Sequence, residues 1–282
     1  MGKGFCDLHT HSVFSDGSYT PTELIREAER IGLSAIALTD HNTMCGVNEF
    51  LSAAKESSVE AIAGVELSTD YGKIELHIVG LFIKPQHFLK VETLVAEMEK
   101  RKIESNKQLA ENLQKAGYLI DYEQLKVSTP NGHLNRAHFA SALVKKGYVA
   151  SVKEAFSTLL SKHGRYYQEP KRLPVYETIA FLKEIGAVAI LAHPFLSMRE
   201  DELLQFLPKA KEYGLDGMET EYVTYDEDTI SKSKQIAKTF ALCESGGSDF
   251  HGLNKPGIFL GVGKGNLRIS SVFVEALRKK KK

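Results

Sequence analysis

Nine residues of metal-ligand type, His9, His11, Asp16, His41, Glu66, His77, His193, Asp249 and His251, sit in short clusters spread along the 282-residue chain. Six of the ten histidines belong to them, and each cluster follows or overlaps an apolar run that reads as a strand. Imidazole and carboxylate donors without cysteine suit Zn, Mn, Fe(II) or Co. Glu66 closes the apolar run Ala63–Leu67, where an unpaired carboxylate would be costly to bury unless it bridges cations. A hydroxide held between two cations about 3.5 to 4 Å apart is nucleophilic at neutral pH, and the cations neutralise charge on a phosphoryl oxygen. The set points to hydrolysis of phosphate esters by a metal-bridging hydroxide.

The clusters differ in weight. His9 and His11 stand at i and i+2 beyond an extended run, so a strand would point both to one face. Asp16 reads either as an Asx turn before Gly17 or as a further ligand. His41 follows the second strand and would project from the same sheet end as His11; the adjacent Asp40 either orients a ligand or caps the next turn. His77 lies inside an apolar strand, where a lone histidine is more often a satisfied core residue. Pro194 stops the strand just after His193. Asp249 and His251 form a second i, i+2 pair between glycines. Glu219 and Glu221 on a later strand read as helix caps or supporting groups rather than ligands.

Holding these clusters together requires alternating strands and helices. Strands are expected at Gly4–Leu8, Ala35–Thr39, Ala61–Glu66, Ile74–Phe82, Ala187–Leu191, Gly217–Glu221 and Phe240–Cys243, seven in all. A helix over Thr22–Ile31 has a clear start: Thr20 caps it, Pro21 suits its first position and Glu23 completes a capping box. Gly32 marks its end. From residue 85 to 170 the alternation stops, and helical patterns appear at Leu89–Ala116, Arg136–Lys146 and Ser151–Leu160, punctuated by Gly117, Gly132, Gly147 and Gly164. The expected organisation is a discontinuous catalytic domain, 1–84 with 171–282, and a helical insertion over 85–170 that covers the active site.

Composition narrows the partners. Lys plus Arg equals Asp plus Glu at 36 each, so no global field favours long nucleic acid or an anionic membrane. The three cysteines, Cys6, Cys45 and Cys243, lack metal-type spacing and suit reduced structural thiols. With no export signal or membrane-length apolar run, a cytoplasmic protein with no obligate protein partner is expected. The basic run Arg278–Lys282 reads as a solvated tail.

The motifs DLHTHSVFSDGS, LTDHNT, GVELS, ELHIVGLF, LAHPF and GSDFHG, in this order, resemble the PHP (polymerase and histidinol phosphatase) superfamily of metal-dependent phosphoesterases across nearly the whole chain. The resemblance implies an α/β fold, a distorted seven-stranded (β/α)7 barrel with a helical insertion, and two or three divalent metal ions (Mn, Fe or Zn). It also suggests a partition: His9, His11, Glu66 and Asp249 about one ion; Glu66, His77 and His193 about a second; Asp16, His41 and His251 about a third.

Within the superfamily the chain is similar to the stand-alone bacterial group that cleaves nucleoside phosphates or short oligonucleotides, through Asn135-Arg136-Ala137-His138-Phe139-Ala140. That group usually has Gly-Arg-Pro-His; Arg136 and His138 match, while Asn135 and Ala137 depart from the pattern. Arg136 would hold a phosphate by a bidentate fork, with His138 beside it. A basic residue near the insert's end is also implied: Lys171 is taken here, with Arg172 and Arg165 as alternatives. His193 is a candidate proton donor to the leaving oxygen, a role in conflict with holding an ion. The expected partner is a small phosphorylated substrate, a nucleotide or short oligonucleotide. Histidinol-phosphate hydrolysis and an inactive metal-binding accessory module are the alternatives.

Overall fold

The computed structural model describes residues 4–129, 134–162 and 164–281, which form two compact units, 4–93 with 172–281 and 94–171. Gly132 and Lys282 lie outside the described residues.

In the first unit, strands β1 (Phe5–Asp7), β2 (Leu33–Leu38), β3 (Glu60–Tyr71), β4 (Ile74–Leu81), β6 (Val188–Leu191), β7 (Gly217–Tyr222) and β8 (Cys243–Gly247) pair in that order. The two-residue β5 (Leu173–Pro174) pairs with β3 off this path. The sheet nearly closes into a seven-stranded barrel: the Leu8 amide donates to Gly246 O at 3.2 Å, and Thr10 bridges Phe250. Alternate strand residues, among them Leu8, Ala37, Ile62, Val79, Leu81, Val188 and Ile190, fill the centre.

Strand β4 is the exception to parallel order, running antiparallel to both β3 and β6. That reversal decides where His77 lies. A hairpin return places the start of β4 beside the end of β3, with Ser68 opposite His77, so His77 reaches the same end of the barrel as ligands that follow the parallel strands.

The expected first helix is α1 (Pro21–Arg30), with the Thr20 capping box and Pro start in place. The last strand differs from expectation. Phe240 closes α10 (Glu227–Thr239), Ala241 has φ +49°, and β8 begins only at Cys243. The apolar letters of Phe240–Cys243 are therefore a helix end and a turn. The strand itself, Cys-Glu-Ser-Gly-Gly, is poor in apolar side chains because it must press against β1: a Cβ on Gly247 would sit 2.2 Å from His9 Cβ.

The second unit holds most of α3 (Phe88–Lys115), whose residues 88–93 belong to the first unit, with α4 (Tyr122–Val127), α5 (Arg136–Lys145) and α6 (Val152–Ser157). It has its own core of Leu109, Leu113, Phe139, Leu143 and Leu160. Helix α6 stops short of the expected Leu160, because Thr158 leaves helical geometry at φ −120°, ψ −86°. No helix among the described residues is long and apolar enough to cross a membrane. Cys6 is buried, Cys243 half-buried and Cys45 exposed, so Cys45 does not join a core; all three are free.

Candidate metal centre

All nine candidate ligands come together at one end of the barrel, around Glu66. This carboxylate is fully buried and faces five imidazoles. Its Oε1 lies 2.7 Å from His77 Nδ1 and 3.0 Å from His193 Nε2. Its Oε2 lies 2.9 Å from His41 Nδ1, 3.2 Å from His9 Nε2 and 3.3 Å from His11 Nε2. Glu66 and His77 reach one another because they stand on the same face of the β3–β4 hairpin.

Two further carboxylates complete the cluster. Asp249 Oδ1 lies 3.2 Å from His11 Nε2 and 3.4 Å from His251 Nδ1. Asp16 Oδ1 lies 3.1 Å from His251 Nε2, and its side chain is 54% exposed. Among the described residues, four groups are able to converge on an ion: His11, Asp16, His41 and His251; His9, Glu66 and His193; His9, His11 and Asp249; and His41, Glu66 and His77. His41 thus stands between Asp16 and Glu66, and His77 and His193 face the same Glu66 oxygen from different groups.

The local backbone serves these side chains at a cost. His193 (φ +27°) and Asp249 (φ +52°) occupy left-handed conformations that disfavour side chains, as does Asn42 (φ +51°) just after His41. Asn42 is held by an exchange with Ser68: its Nδ2 donates to Ser68 Oγ, and its Oδ1 accepts the Ser68 amide. The loop bearing Asp16 is shaped by Asp40, a buried carboxylate that accepts the Ser12 amide at 2.7 Å and the Ser15 hydroxyl at 2.6 Å. Asp40 is therefore a loop organiser, and it leaves Asp16 free to face His251.

Glu219 and Glu221 separate sharply. Glu219 is buried, accepts from His9 Nδ1 at 2.8 Å and accepts the His193 amide at 2.6 Å. Glu221 pairs instead with Lys234 of α10 at 2.7 Å. In a regular strand the two would share a face; a bulge between them turns Glu221 away.

Electrostatics follow from one carboxylate among many imidazoles. Burial works against charge on Glu66, but His41, His9 and His77 outweigh it and hold its pKa well below the usual range. Burial likewise opposes charge on His77, yet Glu66 lifts it to about 10. His11, buried and crowded by His41, is pushed down to about 3. Asp249 is held well below the usual range, against the effect of burial, by the nearby His11 and His9 imidazoles.

The buried polar atoms left without a hydrogen bond show what fits here. Among the described residues they are His9 Nε2, both nitrogens of His11, Glu66 Oε2 and His251 Nε2, with His87 Nδ1 elsewhere. An unsatisfied buried polar atom costs about 1 to 3 kcal/mol, and five facing one another is an arrangement that divalent cations satisfy. The donors are nitrogen and oxygen alone, which suits first-row divalent ions.

Comparison with known proteins agrees with this geometry. The family model of the PHP domain matches residues 7–170. The chain belongs to the PHP family. It is 35% identical over 249 residues to a 5'-3' exoribonuclease of Haemophilus influenzae, covering 87% of this chain and 89% of that one. It is 30% identical over 247 residues to a 3',5'-nucleoside bisphosphate phosphatase of Chromobacterium violaceum, covering 87% and 86%. A solved chain from Bifidobacterium adolescentis, assigned to the metal-dependent phosphoesterases, superposes with a TM-score of 0.79 at 25% identity, covering 98% of this PHP chain and 96% of its own.

The expected substrate residues Arg136, His138 and Lys171 belong to the second unit. Arg136 donates to Leu160 O at 3.2 Å, with its guanidinium 4.5 Å from the Tyr167 ring centre and 5.4 Å from that of Phe156. His138 Nδ1 accepts the Asn135 amide in a capping box, and burial lowers its pKa. Lys171 is exposed. Arg172, in the first unit, is committed to Asp70 and Glu75 at 3.1 and 2.8 Å, which fastens the tip of the β3–β4 hairpin. Sequence reasoning missed Tyr222 and Lys255, which both contact Asp249 Oδ2, at 2.7 and 2.8 Å; neither carries a spacing signal.

Proposed function

We propose that this PHP enzyme hydrolyses phosphate esters of nucleotides or short oligonucleotides, with His9, His11, Asp16, His41, Glu66, His77, His193, Asp249 and His251 holding two or three divalent ions. The observation that carries the reading is Glu66, buried among five imidazoles with Oε2 unsatisfied. Bound ions supply a water activated at neutral pH and neutralise charge on the phosphoryl group.

The chain's own residues do the rest. Glu66 offers one oxygen to His77 and His193 and the other to His9, His11 and His41, a disposition suited to joining two ions. Glu219 fixes the His9 ring so that Nε2 faces inward. His193 turns Nε2 onto Glu66 at 3.0 Å, which favours holding an ion over delivering a proton. Asp16, half-exposed, stands where the cluster meets solvent. Arg136, His138 and Lys171 are the proposed contacts for the substrate phosphate.

The nucleotide class is supported by relatives named for RNA and for nucleoside bisphosphates. The test is turnover by Mn-reconstituted protein of a 3',5'-bisphosphate nucleotide, a short 5'-phosphorylated RNA, mononucleotides and histidinol phosphate. Turnover of the first two, lost in His9→Ala and Asp249→Ala, is expected. Turnover of histidinol phosphate alone would overturn the substrate class. Metal uptake without any turnover would leave a binding module.

A further inference from the structure

Asp249 is held from two sides by groups of different charge. Its Oδ1 faces the His9, His11 and His251 nitrogens at 3.7, 3.2 and 3.4 Å. Its Oδ2 accepts from the Tyr222 hydroxyl at 2.7 Å and from Lys255 Nζ at 2.8 Å. Tyr222 is 4% exposed, whereas the Lys255 side chain is 39% exposed and enters from the loop after His251.

Steering Asp249 needs only the tyrosine. A buried neutral hydroxyl fixes the outer oxygen, turns the inner one toward the imidazoles and adds no charge. The lysine is harder to explain as a brace. Its ammonium stands one carboxylate away from the place where divalent cations would be held, and like charges that close repel. A cation in this position weakens metal binding, so its benefit must lie with an anion.

Resting on the metal-centre reading above, we propose that Lys255 is a substrate-phosphate contact, a specificity residue that the free enzyme parks on Asp249 and that an incoming phosphoryl group engages from the solvent side. Tyr222 is then the positioning residue for Asp249. A lysine suits the task because it carries a compact charge on a flexible stem with three donors, and can keep Asp249 while turning another donor to a phosphate oxygen.

The two roles predict opposite signatures, read by binding rather than turnover. Calorimetry with the full chain gives the affinity for Mn2+, and then the affinity of Mn-loaded protein for inorganic phosphate. For Lys255→Met, phosphate affinity is expected to fall about tenfold, the scale of one charge-assisted hydrogen bond, while Mn2+ affinity holds or tightens. Lys255→Arg is expected to recover part of the loss, and Tyr222→Phe to loosen Mn2+ with little change in phosphate affinity. If Lys255→Met loosens Mn2+ as Tyr222→Phe does and keeps wild-type phosphate affinity, Lys255 is a brace and the inference falls alone. If the wild type takes up no Mn2+, the metal-centre reading falls and carries the inference with it.

Discussion

Glu219 and His9 form a buried polar contact beneath the candidate metal centre: the carboxylate accepts from His9 Nδ1 at 2.8 Å while its other oxygen accepts the His193 amide at 2.6 Å. One buried side chain thus orients two candidate ligands that follow different strands, His9 after β1 and His193 after β6, and it fixes the His9 tautomer.

Changing Glu219 to Gln should therefore loosen metal binding without unfolding the barrel. The amide can accept from only one of its two donors, and its own NH2 then meets an N–H. Loss of such a partner typically costs 10- to 100-fold in metal affinity or activity, roughly the range expected here. Titration with Mn2+, checked by metal content after dialysis, measures it. Wild-type affinity in both Glu219→Gln and Glu219→Ala would show that His9 is oriented by the backbone alone.

Gly247 closes the barrel against His9, and a methyl group there has no room. A Cβ would lie 2.2 Å from His9 Cβ and 2.7 Å from its backbone nitrogen. Backbone atoms cannot swing aside, so Gly247→Ala should cost at least about 1 to 3 kcal/mol, the usual scale of overpacking. It should also displace His9 from Glu66. Urea unfolding and metal content test the two effects together; a stable variant with full metal content would mean that β8 can slide away from β1.

That closure also explains what the sequence could and could not reveal. Helix α1 was legible because Thr20, Pro21 and Glu23 write a local rule into adjacent residues. The meeting of the nine candidate ligands at one end of the barrel was legible because most of them sit at the ends of apolar runs. Strand β8 escapes a local reading, since Gly247 answers to His9, over two hundred residues away, and Gly246 to Glu221 on the neighbouring strand β7. The opposite fates of Glu219 and Glu221 were invisible too: period-two reasoning puts both on one face, and only the bulge in β7 parts them. The tie between Lys255 and Asp249 depends on how a loop folds back, which spacing does not encode.

Removing metal should expose a pH dependence that the loaded enzyme lacks. In the metal-free cluster, Glu66 raises His77 from 6.5 to about 10. A raised histidine stabilises the fold fully below its unfolded value, and that contribution is lost as pH climbs through the folded one. Chelated protein should thus lose stability between about pH 6.5 and pH 10. His11, lowered to about 3, acts oppositely and costs stability as pH falls below 6.5. Melting temperatures in EDTA should peak near neutrality, and added Mn2+ should raise them most on the alkaline side, where imidazoles have lost the protons that compete with the ion. A flat profile in EDTA would mean that the cluster rearranges once its ions leave.

Arg136 offers the sharpest separation of a structural role from a substrate role. Its guanidinium lies against Tyr167 and Phe156 and donates to Leu160 O, contacts that tie the start of α5 to α6 and the segment after it. Arg136→Ala should therefore destabilise the insert by about 1 to 3 kcal/mol, and Arg136→Lys should restore little, because an ammonium cannot reproduce a planar stacked fork. Thermal unfolding checks this part. Kinetics at a temperature where the variant is fully folded decide the rest. A tenfold or larger rise in KM, with kcat nearly kept, would support the proposed phosphate contact; an unchanged KM would confine Arg136 to bracing its own helices.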